Sequence, residues 1–315
     1  ASTGLTGGDE VRVAKSPDPT NLTGTLSFTN NSTTVTGSDT LFKTELAIGD
    51  FVLGGDGYWW EVVTITSNTA ATLYKKYSGT TQSGVSSQKL GVTDTGAADS
   101  STTQVQVVSS SGTSSANLKI SGGWDLTTET QTGQTFFRQL DTTTFTNRYG
   151  YGLYINTKTF TELSNLNFLR YSSGIYYYYG SSNNTITGSP ICNSNGSFGI
   201  YYNSSGNNTI TGSPICNSNG SFGIYYYNGS SNNTITGSPI CNSNGTCGIY
   251  YNSSSNNNTI TGSPICNSNN YGIYYTNSYN NYIYGTLTTS GNTNGAINNN
   301  IGINYILKAS IAEST

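Results

Sequence analysis

The sequence contains no histidine and no methionine. The first absence removes the commonest general base and the commonest metal ligand. Ser-His-Asp and Cys-His catalysis go with it. Charge is scarce too: Asp, Glu, Lys and Arg make up 9% of residues, against about 25% in an ordinary soluble domain. Twelve basic and fifteen acidic side chains leave a net charge of −3, and without a basic excess no nucleic-acid partner is expected. No apolar run approaches the 18 or so residues of a membrane span. The first residue is Ala1 rather than an initiator Met. That reads as a mature secreted or cell-surface chain whose leader was removed, with removal of the initiator in the cytosol as the alternative.

What fills the 315 residues instead is 39 Asn, 38 Gly and 25 Tyr. Disordered chains are polar as well, but they carry much charge and few aromatics; here both are reversed. The order comes from a repeat. GIYYYYGSSNNTITGSPICNSNGSF begins at Gly174 and recurs with small changes from Gly199, Gly223 and Gly248; a further GIYY starts at Gly272 and a degenerate copy at Gly152. Start-to-start spacings are 22, 25, 24, 25 and 24 residues. Each copy holds three β-prone pieces, GIYY, NTIT and SPIC, separated by Gly, Ser and Asn turn formers. Three short strands and three turns make one coil, and each coil advances one inter-strand spacing of about 4.8 Å. The expected fold is therefore all-β: a right-handed parallel β-helix of roughly 24-residue coils, preceded by a small antiparallel β-barrel-like domain.

Period-2 alternation assigns faces. In GIYY, Ile200 and Tyr202 are expected inside and Tyr201 outside. In NTIT, Ile186, Ile210, Ile235 and Ile260 are expected to form one buried column between outward Thr residues. In SPIC, Ile191, Ile215, Ile240 and Ile265 are expected inside and the neighbouring Cys outside. Length changes among the first four copies fall between the Tyr cluster and NNTI, as for loops on one edge.

The pattern GIYY…SSNNTITG…I.NSNG resembles the right-handed parallel β-helix repeats of the NosD-like and pectate-lyase-like families, over about residues 150–306. Ser189 and Ser213 stand where those families commonly carry Asn. The resemblance implies the fold; the families span lyases, periplasmic binding modules, adhesins and tailspikes, so function must come from the site.

The front of the chain differs. TTVTGSDTLF, ELAIGDFV and EVVTITSNTAATL resemble a small β module of phage tail and bacterial surface proteins. Trp59 and Trp60 share a strand, so one is expected in the core and one exposed. The expected organisation is an N-terminal arm at 1–18, the β module at 19–85, a Ser/Thr-rich connector with strands (QVQVV, NLKI) at 86–120, the parallel β-helix at 121–307 and a C-terminal tail at 308–315.

Residues 171–307 carry no charged side chain. Polysaccharide lyases and hydrolases need carboxylates, Lys or Arg for proton transfer, Ca²⁺ binding or oxocarbenium stabilisation. The chain is accordingly expected not to be an enzyme, with no catalytic residue, cofactor or metal. Glu162 and Arg170, in the degenerate coil, are expected to pair in solvent. Cys192, Cys216, Cys241 and Cys266 share one repeat position; rung-to-rung disulfides, buried thiols and intermolecular bridges are all open readings. Cys247, in the Phe198 and Phe222 column, reads as a buried thiol. Tyr176, Tyr201, Tyr225, Tyr250 and Tyr274 are expected as an exposed aromatic row able to stack on sugars. Asn21, Asn183, Asn207, Asn232 and Asn257 head N-glycosylation sequons. Val11, Arg12, Val13 and Ala14 form a candidate assembly arm. The function expected first is an extracellular structural protein, self-assembling end to end into a fibre or surface appendage; a phage-type tail fibre or tailspike, or a glycan-binding adhesin, is the alternative.

Overall fold

The computed structural model describes residues 5–94, 107–108, 110–139, 150–300, 302–307 and 312–314. The first part of QVQVV and most of the C-terminal tail lie outside the described residues.

Each coil has three walls. The GIYY wall is an eight-stranded parallel sheet, beginning with Val107–Val108, Tyr151–Asn156 and Ser173–Tyr178 and continuing through Phe198–Asn203 to Ile297–Asn300. The NTIT wall starts at Glu10–Ala14, Leu118–Asp125 and Thr161–Ser164, then runs through Thr185–Thr187 and Thr209–Thr211 to Tyr282–Tyr284 and Tyr305–Leu307. The third wall opens with Thr93–Asp94, Thr135–Arg138 and Leu166–Leu169. It then thins to single bridges joining Ile191, Ile215, Ile240, Ile265 and Thr288.

The stack is in register. Ile186 pairs with Ile210, Ile210 with Ile235, Ile235 with Ile260 and Ile260 with Ile283. All are buried, in one core with Ile200, Ile224 and Ile249. Tyr177, Tyr202, Tyr226, Tyr251 and Tyr275 form an internal column of nearly parallel rings with centroids 4.8–5.0 Å apart. The turns are held by amide ladders. Asn184 donates its backbone N–H to the Asn208 side-chain oxygen at 3.1 Å, Asn208 to Asn233 at 3.0 Å and Asn233 to Asn258 at 2.9 Å. A second ladder runs through Asn195, Asn219, Asn244 and Asn269. Each satisfies a buried donor that a tight turn would otherwise orphan. Where the related families carry Asn, the hydroxyls do the same work: Ser213 N–H donates to Ser189 Oγ at 3.0 Å and Ser238 N–H to Ser213 Oγ at 2.9 Å.

The third wall reverses the expected faces. Cys192, Cys216, Cys241 and Cys266 are fully buried, whereas Ile215, Ile240 and Ile265 are only half-buried. SPIC is not a strand here: single bridges flanked by Pro do not carry a two-residue phase from one turn to the next. The inward Cys also explains the Gly of GIYY. A Cβ on Gly223 would lie 2.8 Å from Cys241 Cβ and 2.6 Å from the Gly248 carbonyl.

Ile191 and Ile215 are covered by the front module, an eight-stranded antiparallel sheet from Thr20–Asn21 to Gln88–Lys89. Its core holds Phe28, Phe42, Trp60 and Tyr77. Trp60 is buried as expected of one of the pair, but Trp59 is half-buried rather than exposed, packing with Phe51 and Leu90 against Ile191 and Ile215. Charge closes the junction. Arg138 meets Asp50 at 2.9 Å and Asp94 at 2.6 Å. Arg170 meets Glu61 at 3.4 Å with both side chains 1% exposed, which corrects the expected Glu162–Arg170 pair: Arg170 lies under the module, not on the solvent face.

The arm is also corrected. Glu10–Ala14 lies parallel to Leu118–Asp125 of its own chain, and Leu5 and Val13 pack on the end of the core. Val13 of VRVA thus finds the core within its own molecule.

Ile210→Asp should abolish folding or cost several kcal/mol, because it buries an unpaired charge, and Gly223→Ala should cost about 1–3 kcal/mol through overpacking. Urea unfolding checks both; an Ile210→Asp protein as stable as the parent would contradict the inward column.

Candidate functional site

The outer face of the NTIT wall brings together Glu10, Arg12, Lys119 and Glu162 from distant segments. Register makes Glu10 the direct neighbour of Lys119, and Lys119 the direct neighbour of Glu162. Carboxylate, ammonium and carboxylate thus occupy one column on three successive strands, about 4.8 Å apart. In the next outward column, Arg12 lies beside Ser121 and Ser121 beside Ser164. Glu10, Lys119, Glu162, Ser121 and Ser164, with Gln131, line a polar cleft of about 330 Å³.

The cleft is braced. Ser121 Oγ donates to Glu10 Oε1 at 2.6 Å, and Trp124 Nε1 donates to Ser121 Oγ at 2.8 Å. Arg12 Nε reaches Glu10 at 3.3 Å while its guanidinium lies 4.1 Å from the Trp124 ring centroid. The Ser121 hydrogen bond, opposed by partial burial and aided by Arg12 and Lys119, holds the Glu10 carboxyl below its ordinary range. The site therefore offers carboxylate acceptors, an ammonium donor and two hydroxyls within one cleft, a set suited to a polyhydroxylated ligand.

Other candidate residues fall elsewhere. All five cysteines are free and buried, which corrects the disulfide ladder at Cys192, Cys216, Cys241 and Cys266. In-register neighbours keep their Cβ atoms near the rung spacing of about 4.8 Å, wider than the roughly 3.8 Å a bridge prefers. Burial raises the Cys216 thiol well above its usual range and pushes Cys247 up to about 12, so neither is a ready nucleophile.

The Tyr row is corrected as well. Tyr176, Tyr201, Tyr225, Tyr250 and Tyr274 stack on one another at 4.6–5.1 Å. Tyr176 and Tyr225 are buried and the other three half-buried. The interior rings spend both faces on neighbouring rungs and are not open to a sugar. Asn21, Asn183, Asn207, Asn232 and Asn257 are exposed; the last four share positive φ of 55–59° at the same turn. Val11, Arg12, Val13 and Ala14 lie in the strand that borders the cleft. Sequence reasoning missed Glu10 and Lys119, and placed Glu162 with the wrong partner.

Stacked three-walled coils with asparagine ladders define a right-handed parallel β-helix protein. The chain belongs to the NosD family, described as periplasmic copper-binding protein (NosD), whose model matches residues 63–263 and 128–312. Among curated proteins, none matches. Similar solved structures include a mutant of the periplasmic alginate epimerase AlgG, at 15% identity and TM-score 0.42 over 64% of this chain and 56% of that one. Pectate lyase Pel9A is 12% identical with TM-score 0.39, covering 70% and 68%. Tailspike protein 2 of bacteriophage CBA120, its enzymatically active domain, is 13% identical with TM-score 0.34, covering 81% and 52%. The chain thus spans little more than half the length of the epimerase and of the tailspike domain, and these likenesses concern the fold alone.

The expectation that the chain is not an enzyme is withdrawn, because its premise, the absence of charged side chains, holds only for residues 171–307. The scarcity of charge does not reach the first three rungs, where Glu10, Lys119 and Glu162 meet. Copper, named in the family description, does not fit the residues present. The sequence lacks the imidazole and thioether ligands copper favours. Among the described residues no group of three His, Cys, Asp or Glu side chains could hold a metal ion. No helix among the described residues is long and apolar enough to cross a membrane.

Because the Glu10 carboxyl is lowered in the folded protein, its contribution to holding the arm is complete above the unfolded value of about 4.3. It is lost as pH falls through the lower folded value. Arm docking, followed by limited proteolysis near residue 8, should stay constant from neutral pH to about 5 and weaken below about 4. Glu10→Gln should remove that acid dependence; an unaltered profile in the variant would reject the assignment.

Proposed function

We propose that the protein is an extracytoplasmic glycan-binding β-helix, and that the cleft between Glu10, Lys119 and Glu162 is where it takes a saccharide. The observation that carries this reading is the alternating carboxylate–ammonium–carboxylate column beside Ser121 and Ser164, in a cleft of about 330 Å³. Sugar hydroxyls both donate and accept, and the column offers partners of both kinds in an ordered row. The periplasmic family description agrees with a location outside the cytoplasm; secretion to the cell surface belongs to the proposal. A glycan array followed by calorimetry tests it. Binding should be found, and Lys119→Ala or Glu162→Gln should weaken it about ten-fold or more, near 1.4 kcal/mol. An array with no binder, or variants that bind like the parent, would reject the cleft.

End-to-end self-association is a second reading, favoured by one observation. Glu10–Ala14 and Tyr305–Leu307 stand at opposite ends of one all-parallel path, so a ladder edge on one copy can extend a ladder on another. Sedimentation tests it: growth into long assemblies supports the reading, and a strict monomer at high concentration rejects it.

A further inference from the structure

Beyond the cleft, the same outer face continues along the helix axis without a break in register. The column of Glu10, Lys119 and Glu162 passes into Thr185, Thr209, Thr234 and Thr259, each the direct neighbour of the last, and ends at Tyr282 and Tyr305. The adjacent column passes from Ser164 to Thr187 and Thr211. Thr187, Thr211, Thr236 and Thr261 each donate their hydroxyl to a carbonyl of the preceding coil, at 3.2–3.5 Å. Their rotamers are fixed alike, and the surface between the ends is an even strip of hydroxyls and methyls.

At the far end the strip meets an aromatic step. Tyr282 stacks on Tyr305 at 5.0 Å. Its neighbour on the other side is Thr259, which is too short to cover a phenol ring. Tyr284 lies beside it at 6.1 Å with nearly parallel planes, and is 44% exposed. Unlike the Tyr176 row, whose interior rings stack on rings of both neighbouring rungs, Tyr282 and Tyr284 meet no ring on the strip side among the described residues. An aromatic face next to fixed hydroxyls is the pairing that receives the C–H face of a sugar ring. The step lies five rungs from Glu162, about 24 Å at 4.8 Å per rung.

Charge sets the class of glycan. A polyuronate carries a carboxylate on every unit and needs a cation for each; the strip from Thr185 to Tyr284 offers none. Glu10 and Glu162 at the cleft, and a net charge of −3, repel it further.

We infer that the ligand is an uncharged polysaccharide long enough to bridge two subsites, the cleft at Glu10, Lys119 and Glu162 and the aromatic step at Tyr282 and Tyr284. This rests on the glycan-binding reading above. Bridging makes the second contact intramolecular and raises affinity steeply once the chain spans the gap.

The experiment is calorimetry of the full chain with length series of neutral glucans, mannans and chitooligosaccharides, alongside oligogalacturonates and oligoalginates of matched length. At least one neutral series should gain about ten-fold or more in affinity beyond a threshold length, and the acidic series should not. Tyr282→Ala with Tyr284→Ala should abolish that gain. Tyr179→Ala, at an exposed residue in the turn after the strand Ser173–Tyr178, should keep it. Circular dichroism of each variant, matched to the parent, excludes unfolding as the cause. Stronger binding of acidic chains, or a length gain that survives the tyrosine substitutions, overturns this inference while leaving the cleft reading intact. Binding to no glycan of any length overturns both.

Discussion

Zero-slip parallel register is the constraint on which the rest of the molecule depends. Each coil alone is a loop of about 24 residues with too little apolar surface to hold itself together. Stacking supplies backbone hydrogen bonds between rungs, a continuous core and the amide ladders in one step. A slip of one residue would turn Ile210 outward and break the Asn208 and Asn219 contacts together. The column of Ile side chains and the ladders of Asn side chains therefore fix the same register independently. Neither tolerates the alternative that the other would permit.

Much of this was legible in the sequence because the repeat is nearly exact. The spacing gave the coil length, and alternation in GIYY and NTIT placed Ile200, Tyr202 and Ile210 inside. Alternation failed at SPIC, where Pro and single bridges replace a strand, and Cys went in where Ile was expected. The Gly of GIYY held the missing clue, since its lack of a side chain leaves room for an inward neighbour. The cleft was harder to see. Glu10, Lys119 and Glu162 lie in three segments of unlike sequence, separated by 109 and 43 residues. Aligning VRVA, NLKI and TELS at Val11, Ile120 and Leu163, which are register partners, brings the three charges into one column. The repeat itself gave no reason to extend the alignment so far forward.

The distribution of charge follows from the same architecture. In the regular coils every outward position is copied at the rung spacing, so a charged residue there would meet its own kind about 4.8 Å away on both sides. Uncharged Thr, Asn and Tyr avoid that repulsion. Only where the repeat degenerates, in the first rungs, can opposite charges alternate. Charge is found there in two places with different roles. Beneath the front module, Glu61, Arg170, Asp50 and Arg138 fasten it to the helix; on the NTIT wall, Glu10, Lys119 and Glu162 form the outward column. On the NTIT wall, charge is thus gathered at one end of the solenoid, with the even threonine strip leading away from it.

The central claim is that register places Lys119 between Glu10 and Glu162. A double-mutant cycle between Lys119→Glu and Glu162→Lys, read by chemical denaturation at low salt, tests it most directly. Each single change puts like charges side by side, and the pair of changes restores alternation between the two exchanged positions. Coupling of about 0.5 kcal/mol or more, diminishing with added salt, is expected for exposed neighbours. Strict additivity at low salt would mean that the two side chains do not adjoin, and the register of the first three rungs would be wrong.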